Sequence, residues 1–186
     1  MNDLIEKARA FAIARHAGQF RKDAARNPYI SHPAEVADLV SEFGGRSEAV
    51  AAGWLHDTVE DCPPTSLAEI TVDFGPSVAA IVAELTDDKT LPKAERKRLQ
   101  IAGAAAKSAD AALVKLCDKI SNVRSVGATP PRYWSMARRL AYLDWAETVV
   151  AGLNGLSDAA LARFRQVTRT SREQIGSGRR KVDTGA

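Results

Sequence analysis

The chain has little of what marks secreted, membrane or fibrous proteins. It has two cysteines, Cys62 and Cys117, in 186 residues, too few for a disulfide framework. No stretch approaches the roughly 20 apolar residues of a membrane-spanning helix. The opening residues, Met1-Asn2-Asp3-Leu4-Ile5-Glu6-Lys7, contain acids and no apolar signal core. These absences exclude a disulfide-stapled scaffold and a transmembrane protein, and a cytoplasmic location is expected. Apolar and polar residues nowhere alternate convincingly, so no strand is predicted with any length. Neither an internal repeat nor a second domain is visible. Charge of one sign is not in excess either. Lys and Arg number 26 against 23 Asp and Glu, and a net +3 is too small by itself to argue for a nucleic-acid partner.

What is there is ordinary globular composition, 45% hydrophobic and 26% charged, in a length that suits one domain with a sizeable core. Helical periodicity runs throughout. Asp3 with Glu6 resembles a capping box before a helix over 4–15, and a second helix over 34–43 is stopped by Gly44-Gly45. Ser47 is the candidate cap of the helix that carries His56-Asp57. Ser66 with Glu69 marks another capping box, and Gly75 ends that helix. Further helices are predicted over 76–85, 92–106, 109–126 and 131–153, with Ser157 capping a last one to about residue 174. The predicted fold class is all-α, a single helical bundle, with room for a short strand pair near Tyr29. Residues 1–175 form the expected domain. Residues 176–186 are rich in Gly, Ser and basic side chains and are expected to be a disordered tail.

The segment His56-Asp57-Thr58-Val59-Glu60-Asp61 follows the apolar run Ala49-Val50-Ala51-Ala52-Gly53-Trp54-Leu55. Ionisable side chains therefore arrive at the end of a core element, where each would be costly without a partner. A helix end with ordinary solvated acids is the competing reading. A divalent metal is the simplest compensation, with His56 giving a nitrogen and Asp57 an oxygen. On a helix, Glu60 and Asp61 follow this pair by four residues on nearly the same face, the place for acid/base helpers. In Tyr29-Ile30-Ser31-His32-Pro33 the proline suits a first helical turn, so His32 is expected to cap the helix that follows. In Lys115-Leu116-Cys117-Asp118-Lys119-Ile120-Ser121-Asn122, the spacing puts Lys115, Asp118, Lys119 and Asn122 on one face. Beside the other segments Asp118 reads as a fourth ligand.

The candidate metal set is His32, His56, Asp57 and Asp118. Two imidazoles with two carboxylates suit Mn2+ or Fe2+ better than a thiolate-loving ion, with Zn2+ and Mg2+ also compatible. Such a set leaves positions for water and a phosphate oxygen, which metal-assisted hydrolysis requires. The loop Arg21-Lys22-Asp23-Ala24-Ala25-Arg26-Asn27 leads directly to His32. Cations beside a metal suit a highly anionic substrate. Arginine can also stack its plane on a base, while lysine acts as a point charge.

The pattern H…HD…D resembles that of the HD-domain metal phosphohydrolases. More closely, Gln19-Phe20-Arg21-Lys22, Pro28-Tyr29-Ile30-Ser31-His32-Pro33, His56-Asp57-Thr58-Val59-Glu60-Asp61 and Lys115 through Asn122 are similar to the hydrolase domain of the RelA/SpoT alarmone enzymes. They are equally similar to its stand-alone forms, the small alarmone hydrolases and the metazoan SpoT homologues. Phe74-Gly75, Thr86-Asp87-Asp88-Lys89 and Glu95-Arg96-Lys97 also fit, and the resemblance covers residues 8–153.

This resemblance implies an HD-domain bundle that removes the 3′-pyrophosphate of a guanosine alarmone. The substrate would be ppGpp or pppGpp, and the products GDP or GTP plus pyrophosphate. It implies that Arg21 packs against the nucleobase, Lys22 lies near phosphates, Asn122 helps hold the nucleotide and Tyr29 lies close by. Lys115, on the face of Asp118 and Asn122, completes the substrate-side set. Glu60 and Asp61 are the catalytic candidates for water and for the proton on the leaving oxygen, with the division between base and acid open. The chain departs from the family on the substrate side. Ala24-Ala25-Arg26-Asn27 stands where a Gly-rich, often acidic loop is usual, and Ser125 where threonine is common. Adenosine alarmones of the ppApp type and NADPH, through its 2′-phosphate, are the alternative substrates. A non-catalytic alarmone sensor is the alternative of another class, but such a sensor usually lacks a ligand or an acid, and here all are present.

Overall fold

The computed structural model describes residues 3–183. In chain order the helices are α1 (Asp3–Arg15), α2 (Ser31–Glu42), α3 (Ser47–Leu55), α4 (Thr58–Asp61), α5 (Leu67–Phe74), α6 (Pro76–Leu85), α7 (Lys93–Ala102), α8 (Ala109–Ala128), α9 (Met136–Ala151) and α10 (Asp158–Asp183), with a 3-10 turn at Ala104–Ala106. Helix α3 has no polar face. Every residue from Ala49 to Leu55 is buried, as expected for a helix surrounded by others. It packs against α1, α2, α6 and α8. A Cβ on Gly53 would lie 3.0 Å from the Ala37 Cα, so the close approach of α2 and α3 requires glycine there. Helix α8 is the second central element. It packs on α2, α9 and α10, and within its apolar length Lys115, Asp118 and Lys119 are buried. Charged groups are thus carried into the core by the same helices that build it.

The all-α expectation holds among the described residues. In place of a strand pair near Tyr29 there are two isolated antiparallel bridges, Phe20 with Pro28 and Asp23 with Pro131. The pairing is short because α2 starts as soon as it is made. Tyr29 N–H donates to Gln19 O at 2.9 Å, and α2 begins at Ser31.

Helix starts differ from the sequence reading in instructive ways. His32 is not a cap but the second residue of α2, whose N-cap is Ile30. First-turn N–H groups need no intrahelical partner, so Pro33 is tolerated inside the turn and the helix starts earlier. Arg46 rather than Ser47 is the N-cap of α3, and α3 ends at Leu55, leaving His56 and Asp57 in the joint before α4. Ser66 does cap α5, accepting from Glu69 N–H at 3.3 Å. The reciprocal half of that box is missing because the Glu69 carboxylate pairs with Arg15. Gly75, at φ 86°, ends α5, and Pro76 opens α6. Ser157 caps α10 through Ala160 N–H at 3.3 Å. Where a tail was expected from 176, α10 continues to Asp183. Residues 184–186 of that expected tail lie outside the described residues. Among the described residues no helix is long and apolar enough to cross a membrane. Both cysteines are buried free thiols.

Candidate active site

Helices α2 and α8 and the α3–α4 joint converge on one point. One ligand atom each from His32, His56 and Asp118 lies within 4.8 Å of the others. His56 is oriented by the backbone: its Nδ1 lies 2.8 Å from Gly53 O. A carbonyl can only accept, so Nδ1 carries a hydrogen, and in the neutral ring Nε2 keeps the lone pair. That Nε2 is buried and makes no aligned hydrogen bond, its nearest neighbour being the Asp57 carboxylate. His32 Nε2 lies 3.4 Å from Asp118 Oδ1. Asp57 sits between the two rings, with Oδ2 3.1 Å from His56 Nε2 and 3.6 Å from His32 Nε2. The Tyr29 hydroxyl donates to the same oxygen at 2.6 Å. Asn122 donates to Asp118 Oδ1, and Lys119 Nζ lies 3.0 Å from Asp118 Oδ2.

The electrostatics ask for positive charge at this point. Burial alone would raise the Asp57 and Asp118 carboxyls, but cationic neighbours override it. The His56 and His32 rings hold Asp57 well below the usual carboxylate range, and Lys119, His32 and Lys115 do so for Asp118. Burial disfavours a charged His56, yet Asp57 and Asp118 override it and push that ring up to about 9. A divalent cation meets the same demand. Nitrogen and carboxylate donors without a thiolate, with a buried Nε2 that makes no aligned hydrogen bond among them, fit such an ion.

On one flank stand the two acids. Glu60 receives the Asp87 N–H at 3.3 Å and faces Lys89 and Arg96 at 3.5 Å each. Burial raises its pKa, and Asp57 and Asp87 add to this, outweighing the Asp87 amide and Lys89. The Asp61 carboxylate pairs with Lys89. Although α3 has ended, Asp61 N–H still donates to Asp57 O at 2.8 Å, so the one-turn spacing read from the sequence survives the joint. Gln19 steadies this turn, donating to Asp61 O at 3.1 Å and meeting His16 Nδ1 at 2.8 Å.

On the other flank is a cleft. Arg21, Lys22, Tyr29 and Asn122 line a cavity of about 210 Å3 with Trp134 and Tyr142. The same two aromatics border a second cavity of about 340 Å3, lined by Lys93, Arg96, Lys97 and Arg138. The cations lie on rings: Lys97 Nζ is 4.3 Å from the Trp145 centroid, and the Arg138 guanidinium 4.5 Å from that of Trp134. Burial lowers the pKa of Lys93, and Arg138, Lys22 and Arg96 lower it further. Positive charge is in excess here: Lys93, Arg96, Lys97 and Arg138 face one acid, Asp87, in the second cavity.

A model of the HD domain matches residues 8–147. The chain belongs to the HD-domain family. The HD-domain chain is 48% identical over 154 residues to a Xenopus tropicalis protein named guanosine-3′,5′-bis(diphosphate) 3′-pyrophosphohydrolase MESH1, covering 82% of this chain and 86% of the relative. The human protein of the same name is 45% identical over 169 residues, covering 88% and 93%. The structure is similar to that of a metazoan SpoT orthologue described as hydrolysing ppGpp and acting in starvation responses. The TM-score is 0.86 at 36% identity, with 91% of this chain and 96% of that chain covered.

The HD-domain fold brings the sequence-selected residues together with one exception. Lys115 is buried in α8, where its charge acts on Asp118, and it lines a cavity of about 190 Å3 that shares Asp87 and Arg96 with the second cavity rather than lining the one that Arg21 borders. The divergent loop is a self-contained turn. Asp23 accepts from the Asn27 backbone and side chain at 3.2 and 2.9 Å, and Arg26, at φ 53°, lies 4.9 Å from the Phe20 centroid. Sequence reasoning assigned no role to Trp134, Tyr142, Lys93 or Arg138. The signal was present as Arg138, Tyr142 and Trp145 at helical spacing on α9, but a stripe of that kind reads equally well as core.

Proposed function

We infer that this HD-domain chain is a guanosine-3′,5′-bis(diphosphate) 3′-pyrophosphohydrolase. The observation that carries the reading is a buried His56 Nε2, with no aligned hydrogen bond, set among two carboxylates beside a cavity where four cations face one acid, Asp87. The names of relatives that span most of the chain support it. His32, His56, Asp57 and Asp118 would hold one divalent metal, with Mn2+ the expected ion. When bound, that ion supplies Lewis-acid polarisation at the scissile phosphate. Arg21 offers its plane to the purine, while Lys22, Lys93 and Arg138 neutralise phosphate charge and Asn122 steadies the nucleotide. Tyr29, whose phenol burial and Asp57 keep protonated, holds the Asp57 carboxylate in place.

In the reaction a water oxygen bonds to the phosphorus next to the ribose 3′ oxygen. That P–O bond breaks, pyrophosphate is released and the 3′ oxygen takes up a proton. Glu60, raised by burial, is suited to hold and move a proton at its carboxylate. Asp61 shares Lys89 with Glu60, so the pair acts as one charge-balanced unit. A degenerate sensor would not retain all of these groups in place. The test is to incubate the purified protein with Mn2+ and, separately, ppGpp, ppApp and NADPH. Pyrophosphate from ppGpp is expected. Faster turnover of ppApp would reassign the base preference, phosphate from NADPH alone would reassign the substrate, and no product from any would overturn the enzyme reading.

A further inference from the structure

The two histidines of the cluster are held in different ways. His56 is oriented by a backbone carbonyl, Gly53 O, which side-chain replacement cannot remove. His32 is oriented by a line of side chains. Its Nδ1 lies 2.9 Å from Ser121 Oγ. The single proton of that hydroxyl is directed to Glu35 Oε2, 2.6 Å away. A carboxylate can only accept, so the serine oxygen must accept from His32. Nδ1 then carries a hydrogen, and in the neutral ring, the form that binds a metal, the Nε2 lone pair faces Asp57 and Asp118. The other Glu35 oxygen pairs with the Arg124 guanidinium, which steadies the far end. Ser121 is fully buried. The spacing makes the line possible: Glu35 follows His32 by three residues on α2, and Ser121 follows Asp118 by three on α8.

We propose that Ser121 and Glu35 are positioning residues for His32, fixing its ring and tautomer and strengthening Nε2 as a donor to a divalent cation. The proposal rests on the metal reading above. Partners of this kind behind a ligating histidine are typically worth 10–100-fold in metal affinity. Because His56 depends on backbone and His32 on side chains, His32 is the ligand whose strength substitution can tune.

The test uses the full chain carrying Ser121→Ala or Glu35→Gln, with helix content followed by circular dichroism. Two quantities are read: the Mn2+ dissociation constant by calorimetry, and the His32 tautomer by nitrogen-15 NMR of the metal-free protein, which has three histidines to assign. Both variants are expected to bind Mn2+ about 10–100-fold more weakly, and Ser121→Ala to lose the Nδ1–H tautomer. If Ser121→Ala does not fold, Glu35→Gln, which keeps size and shape at a half-exposed site, decides alone. Wild-type Mn2+ affinity in Glu35→Gln overturns the proposal. A wild type that binds no Mn2+ defeats the metal reading instead, and retention of the Nδ1–H tautomer in Ser121→Ala then overturns the relay as well.

Discussion

The two sides of the cleft are built on different principles. His32, His56 and Asp118 are 2%, 5% and 7% exposed, and they stand on or at the end of helices that form the core. The cationic side stands on the 20–30 loop, on α7, which has no buried residue, and on one face of α9. The ligand side cannot move without moving the core. The cationic side has few buried contacts of its own and can vary or adjust at small cost. The longer departure from the family pattern, Ala24-Ala25-Arg26-Asn27, falls on this second side, while Ser125 lines the same cavity as Arg21 from the core helix α8.

Substitution can break that contrast in order of severity. The largest effect is expected on the core side: His56→Ala or Asp57→Ala should abolish turnover and lower metal content, with most helical signal retained. Normal metal stoichiometry in both, by elemental analysis, would remove these residues from the ligand set. Next come Glu60→Gln and Asp61→Asn, expected to lower kcat by about 100-fold or more with metal still bound, the usual scale for loss of an acid/base group. Wild-type turnover in either would dismiss that residue as a helper.

Smaller effects should mark the cationic side. Arg21→Ala should raise KM for ppGpp and ppApp together, by the equivalent of about 1–3 kcal/mol, on the analogy of stacked bases in nucleic-acid sites, with kcat little changed. A change confined to one nucleotide would show that Arg21 reads a base edge rather than a ring face. The smallest effect tests remoteness. Ser66→Ala removes the α5 cap and should cost about 1 kcal/mol, a Tm loss of about 2–4 °C for a chain of this size. Its kcat and KM should stay at wild-type values, and a kinetic defect would mean that α5 couples to the site.

The ligand side was the legible one. His56-Asp57 after an all-apolar helix, and Asp118 within another, are conflicts between burial and charge that any sequence shows, and such conflicts need compensation wherever the helices lie. Local geometry was less legible. His32 was expected as a cap and lies inside α2, because a proline marks the first turn without saying which residue of it. Lys115 shares a helical face with Asp118 by spacing and acts on its charge, yet it lines the cavity of Asp87 and Lys107 rather than that of Arg21, which spacing along one helix does not reveal. The continuation of α10 past Gly176 runs through two glycines of low helix propensity, so propensity alone pointed to an earlier end.

The sequence by itself determined the helical class, the His-Asp chemistry and the pairing of that chemistry with cations near Arg21. These are matters of residue type and short spacing, and they hold in any arrangement of the chain. Only the tertiary structure decided that Arg138 and Trp134 from around α9 meet Lys93 of α7 to line one cationic cavity, and that Glu35 reaches Ser121 beside His32. Those contacts join residues distant in the chain, and their partners are chosen by how the helices pack rather than by anything their neighbours in sequence reveal.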